Sequence, residues 1–282
     1  MNWLSNKTVI VTGASSGIGQ NICCVLVEKY NCRIIGIARN IEKLHSTEAI
    51  LTAKENFIPY PMDVSIESNW VELKSYLEKN NIQIDVLINC AGTMPPFESG
   101  KDIDDESFQR VFAVNFYSAT YSAKQLLPLL MKSNNPAILN VSSISALSVF
   151  PGTSAYSASK SALKTFSEIL HSELKGKVFV STVLPGFVKT NLFSSKDNNR
   201  DVLFEEDRSF VNKFSMSAER MAKKIVRALA RRKARAIIGL DAKLLNVLYK
   251  IMPQKTGNLL MKIMKKSKLK SFSEIFEDKD VV

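Results

Sequence analysis

Seven short apolar runs, most of them rich in Val and Ile, recur along this chain, the first six each followed by a longer stretch with helical periodicity, and that rhythm limits its fold more than any other feature. The runs lie at residues 8–12, 33–38, 57–61, 86–90, 137–142, 178–184 and 236–240 and are predicted strands. Amphipathic stretches near 18–30, 41–54, 66–80, 106–131, 155–174 and 218–230 are predicted helices. Strands that are apolar almost throughout must be buried on both faces, as happens when crossover helices cover a parallel sheet. The expectation is an α/β, doubly wound parallel sheet in one domain over residues 1–240, followed by a basic amphipathic C-terminal extension at 241–282.

The glycines of "TGASSGIG" stand directly after the first strand and at the mouth of the first helix. Gly13, Gly17 and Gly19 permit a tight turn and close backbone approach, so that a diphosphate can rest on the helix N-terminus; Ser15 and Ser16 add hydroxyl donors. The end of the second strand discriminates between dinucleotides, because a carboxylate there accepts a ribose 2′-hydroxyl and repels a 2′-phosphate. This chain reads "IIGIARN" and carries Arg39 with no carboxylate, which favours NADP(H) over NAD(H) through charge-assisted pairing.

Farther on, "TSAYSASKSAL" sets Tyr156 and Lys160 four residues apart among small side chains. Residues at that spacing share a helix face, and a fixed ammonium makes a neighbouring phenol easier to ionise. Alone, such a pair arises readily by chance.

Other features exclude more than they assign. Cys23, Cys24, Cys32 and Cys90 show no metal-ligand spacing, and His45 and His171 stand alone, so neither a zinc site nor a disulfide framework is expected. With no signal-like or bilayer-crossing run, the expected location is cytoplasmic. The formal charge of +11 is concentrated after residue 218, yet the basic stretches lack interleaved aromatics and match no nucleic-acid motif. Solvated helix faces, a polyanionic cofactor or a membrane surface account for it at least as well, and no nucleic acid is expected.

Taken in order, the motifs resemble those of the short-chain dehydrogenase/reductase family over residues 7–240, which implies a Rossmann-like fold. "TGASSGIG" (with Ile18) matches the family's cofactor glycines, and "MDVS" matches its adenine-side pair in Asp63 and Val64. "NCAG" supplies Asn89, Ala91 and Gly92, with Cys90 where the family has a second asparagine. Asn115 falls at the family's active-site asparagine, Ser143 comes from "LNVSSISA", and Tyr156 and Lys160 come from "YSASK". "PGFVKT" places Pro185, Gly186, Val188 and Thr190 beside the nicotinamide. The resemblance implies a hydride-transferring oxidoreductase with Tyr156 as acid/base and Lys160 on the phenol and the ribose. It further implies Ser143 on the substrate oxygen, in preference to its neighbour Ser142, and Asn115 behind a water leading from Lys160. A catalytically silent dinucleotide-binding regulator is the alternative.

Met94, Phe97, Leu147, Phe150, Phe187, Leu192 and Phe193 suggest a pocket for a small apolar ketone or alcohol, steroid-, retinoid- or acyl-like. The mixed segment at 190–214 follows a strand and is an expected substrate lid. A homo-oligomer, dimer or tetramer, is expected. The clustered Leu, Ile and Lys residues of 241–272 suit packing on the domain, a subunit interface or peripheral membrane contact.

Overall fold

A computed structural model describes residues 2–189, 196–197, 200–207 and 215–276. Seven strands form one sheet: β1 (Thr8–Thr12), β2 (Arg33–Ala38), β3 (Phe57–Pro61), β4 (Val86–Asn89), β5 (Ala137–Val141), β6 (Phe179–Pro185) and β7 (Arg235–Ile238). Their order is β3-β2-β1-β4-β5-β6-β7, and every pairing is parallel. The helices alternate with them: α1 (Gly17–Tyr30), α2 (Ile41–Ala49), α3 (Glu67–Lys79), α4 (Asp105–Phe112), α5 (Ser118–Leu130), α6 (Ser154–Glu173) and α7 (Ala218–Ala230). One core packs Ile22, Leu26, Ile225 and Leu229 against one face of the sheet, and a second packs Trp70, Leu73, Leu126 and Leu130 against the other. The doubly wound expectation is the fold observed.

Differences from the sequence expectation are local and have causes. β4 stops one residue early because the Cys90 and Ala91 amides donate to the Thr12 hydroxyl, at 2.9 and 3.0 Å, instead of to a strand neighbour. The single helix expected over 106–131 is broken by a π turn at Ala113–Tyr117. There the Asn115 side chain reaches across to residue 93. Asn89, expected at the cofactor, faces the interior instead. Its amide donates to Asn140 Oδ1 (2.8 Å) on the adjoining strand and its carbonyl accepts from Ser122 (3.0 Å). Asn140 in turn donates to Ser167 (2.8 Å), giving a buried polar chain through the second core.

The sheet's first crossing point lies between β1 and β4, where consecutive strands run to opposite sides. In open parallel sheets a crevice forms there, beyond the strands' carboxyl ends. Past β7 the chain forms α8 (Leu240–Ile251) and α9 (Pro253–Ser267), then a short turn of helix at Lys270–Ile275. The terminal stretch folds back on the domain: Met264 and Phe272 join Met94, Phe97, Val202 and Leu203 in a third cluster that Tyr156 also touches.

Replacing Asn140 with Ala leaves the buried Asn89 amide and Ser167 hydroxyl short of a partner. A loss of about 1–3 kcal/mol for a stranded group is expected in denaturant unfolding, with the fold kept; unchanged stability would show that the chain of amides contributes nothing.

Candidate active site

The crevice is a cleft of about 740 Å³, lined at one end by the turn from Gly13 to Gly19 and at the other by Ser143, Tyr156 and Lys160. Gly13 has φ of +70°, and a Cβ built on Gly19 would collide with the Gly13 carbonyl oxygen. Ser16 caps α1 without a side-chain hydrogen bond, so the first-turn amides are left for a ligand. Asp63 and Val64 line the side of the cleft, and Arg39 stands at the end of β2. Ile18, Ser15, Gly17, Ala91, Gly92, Pro185, Gly186 and Val188 all reach it as expected, whereas Thr190 lies outside the described residues. This turn, with its open amides and no room for a side chain, fits a dinucleotide diphosphate.

Two residues at this end were not singled out from the sequence. Asn40 caps α2, accepting from Lys43 N at 2.8 Å, and that turn carries Lys43 to the cleft beside Arg39. Cap signals at Asn40 and a lysine three residues on were legible, but only the fold shows that α2 starts over the crevice.

At the other end, α6 presents Tyr156 and Lys160 on one face, and the segment after β5 presents Ser143. Lys160 is almost wholly buried, its Nζ donating to the Val141 carbonyl at 3.0 Å and standing 5.9 Å from the Tyr156 ring centroid. Burial lowers its pKa to about 8. The phenol goes the other way from the sequence expectation. Burial raises the Tyr156 pKa, and the Ser143 hydroxyl beside it is the influence that opposes the rise, not the lysine. Lys160 is spent on a backbone carbonyl here.

Ser142 and Ser143 are told apart by their partners. Ser142 donates to the Lys160 carbonyl (2.8 Å) and so braces α6. Ser143 only accepts from Ser145 N (3.1 Å), and its hydroxyl proton stays available toward Tyr156. Asn115 accepts from Thr93 N (2.8 Å) and donates to the Thr93 carbonyl (2.9 Å) and to Ser159 (3.0 Å). Its side chain is thus occupied by protein groups and does not line the cleft. A Cβ on Gly92 would sit 3.4 Å from both Asn115 Oδ1 and Lys160 Nζ, in ordinary contact with the two side chains.

Met94, Phe97, Phe150 and Phe187 form the apolar wall next to Tyr156. Leu147 does not; it ends the short helical turn Ile144–Ala146 away from the cleft lining. Leu192 and Phe193 lie outside the described residues, as does most of the expected lid. Asp241, from α8, accepts from Phe187 N at 2.7 Å, and a Cβ on Gly186 would collide with the same carboxylate. The sequence reading put Asp241 in the extension, with no sign of this contact. Among the described residues, no cluster of three or more His, Cys, Asp or Glu could hold a metal ion.

A family model described as short chain dehydrogenase matches residues 7–201. The chain belongs to the short-chain dehydrogenase/reductase family. A Drosophila melanogaster protein named Dehydrogenase/reductase SDR family protein 7-like is 28% identical over 243 residues, covering 84% of this chain and 74% of its own. An uncharacterized oxidoreductase of Staphylococcus aureus is 31% identical over 191 residues, 67% of this chain and 81% of that protein. Among solved structures, a short-chain dehydrogenase from Streptomyces avermitilis aligns with a TM-score of 0.76 at 24% identity, over 94% of this chain and all of the other. The 3-ketoacyl-(acyl-carrier-protein) reductase of Brucella melitensis, solved with NADH, aligns at 0.72 and 20% identity, over 85% and 98% of the two chains. These structural likenesses speak to the fold. As a short-chain dehydrogenase/reductase, the chain is an oxidoreductase that uses a nicotinamide dinucleotide on a CH–OH group or the matching carbonyl.

In this short-chain dehydrogenase/reductase, Gly19→Ala should weaken nucleotide binding at least about tenfold, roughly 1.4 kcal/mol, measured by cofactor fluorescence titration. Wild-type affinity in a folded variant would show that the turn does not carry the diphosphate.

Proposed function

We propose that the chain interconverts an apolar ketone and its secondary alcohol with NADP(H), through Ser143, Tyr156 and Lys160. The observation that carries this reading is the meeting of these three residues at one end of a cleft whose other end is the Gly13–Gly19 turn. When bound, the nicotinamide carries the hydride. Tyr156 gives its phenolic proton to the substrate oxygen in reduction and takes one back in oxidation. The Ser143 hydroxyl donates to the same oxygen and holds it beside the phenol. Lys160, with its pKa near 8, stays largely protonated at neutral pH despite its burial. Its ammonium leaves the Val141 carbonyl to hold a ribose hydroxyl and to favour the phenolate, which burial otherwise disfavours. Asn115 is a positioning residue that pins Thr93 and Ser159 on either side of this corner.

Support for NADP(H) is a pair of cations lining the cleft, Arg39 just past β2 and Lys43 in the first turn of α2, with no carboxylate at the end of β2 to grip a free 2′-hydroxyl. Asp63 and Val64 are assigned to the adenine side. Support for an apolar substrate is the wall of Met94, Phe97, Phe150 and Phe187 against Tyr156. The four free cysteines fit a reducing, cytoplasmic setting.

Tyr156→Phe is expected to lower turnover at least about a hundredfold in NADPH consumption against apolar ketones, while cofactor binding persists; near-normal turnover would remove the proposed acid. The double variant R39D/K43E should lose at least about tenfold in kcat/KM for NADPH and gain relative preference for NADH, since each lost charge-assisted bond is worth a factor of that size. An unmoved preference would refute the 2′-phosphate assignment.

A further inference from the structure

Fifteen large hydrophobic side chains are exposed among the described residues, and seven of them lie between Leu240 and Ile263. On α8, Leu240, Leu244, Val247 and Ile251 are 85, 61, 50 and 71% exposed. Their spacing of four, three and four residues sets them in one row. The buried Ala242 faces the opposite way, toward the domain. On α9, Leu259 and Ile263 continue the pattern four residues apart, with Met252 at the joint, while Thr256 and Met264 face inward. An apolar row this exposed has no partner among the described residues.

Charge decides what covers it. From Leu240 to Lys270 the sequence holds eight lysines and one carboxylate, Asp241. That carboxylate is spent on the Phe187 amide. A second copy of the chain would set lysine against lysine. A surface with anionic headgroups and an apolar interior satisfies both components: lysine stems lie along the apolar row and their ammonium groups reach phosphate. No helix among the described residues is long and apolar enough to cross a bilayer, so the contact is interfacial.

We propose that the α8–α9 hairpin is a docking surface for an anionic lipid bilayer. The surface adjoins the cleft. Val149, half exposed, faces Gly257 of α9, and the next residue, Phe150, lines the cleft wall. A docked molecule therefore holds its apolar entrance next to the lipid. The assignment stands on surface composition alone and does not depend on the cofactor or substrate reading.

The test is flotation of the full chain with vesicles of phosphatidylcholine alone or mixed with phosphatidylglycerol, for the wild type and for L244E/I251E. Both substituted side chains are exposed, so the variant should keep its melting temperature and NADPH binding. The expected result is flotation with the anionic vesicles only, weakened by added salt, and at least about tenfold less bound protein for the variant. Absence of flotation, equal flotation on neutral vesicles, or flotation of the variant at the wild-type level would overturn the proposal. So would a dimer in sedimentation equilibrium that the variant splits without any vesicle binding, since the row would then be a self-interface.

Discussion

Everything in the cleft depends on the close approach of β1 and β4 at the point where the sheet changes direction. The Thr12 hydroxyl accepts two consecutive amides, from Cys90 and Ala91, and so draws the end of β4 against the Gly13 turn. A Cβ on Gly13 would lie 3.0 Å from the Ala91 Cα, which leaves no slack for a side chain. One wall of the crevice is therefore backbone from two strands held by one buried hydroxyl. The bonds use only the amides of residues 90 and 91, so the thiol at Cys90 is tolerated where the family has an asparagine.

The architecture was legible because its signals are periodic. Val- and Ile-rich runs mark strands buried on both faces, and strand ends moved by only a residue or two. The π turn was not legible, since residues 113–117 are as apolar and helix-compatible as their flanks. It depends on a side chain meeting residue 93, a contact between distant parts of the sequence. Motif residues reached the cleft where backbone geometry fixed them, as at Gly13–Gly19. They failed where the side chain could turn inward, as Asn89 does toward Asn140. Lys43 was missed for the converse reason: an ordinary lysine by sequence, it gains its place from the direction in which α2 leaves the sheet.

Electrostatics shows the same divide. Proximity in sequence suggested that Lys160 lowers the Tyr156 pKa, but burial acts on both groups and pushes each toward its neutral form, the lysine down and the phenol up. The ammonium meanwhile answers the Val141 carbonyl. A helical spacing of four places two groups on one face; it does not decide which neighbour each one serves.

The carboxylate of Asp241 spans from the beginning of α8 to the Phe187 amide, at the rim where β6 runs out. The polypeptide beyond the last sheet strand is thus a strut for the cleft, not an appendage. Two enzymes alike through residue 240, one of them ending there, would differ in how firmly that rim is braced.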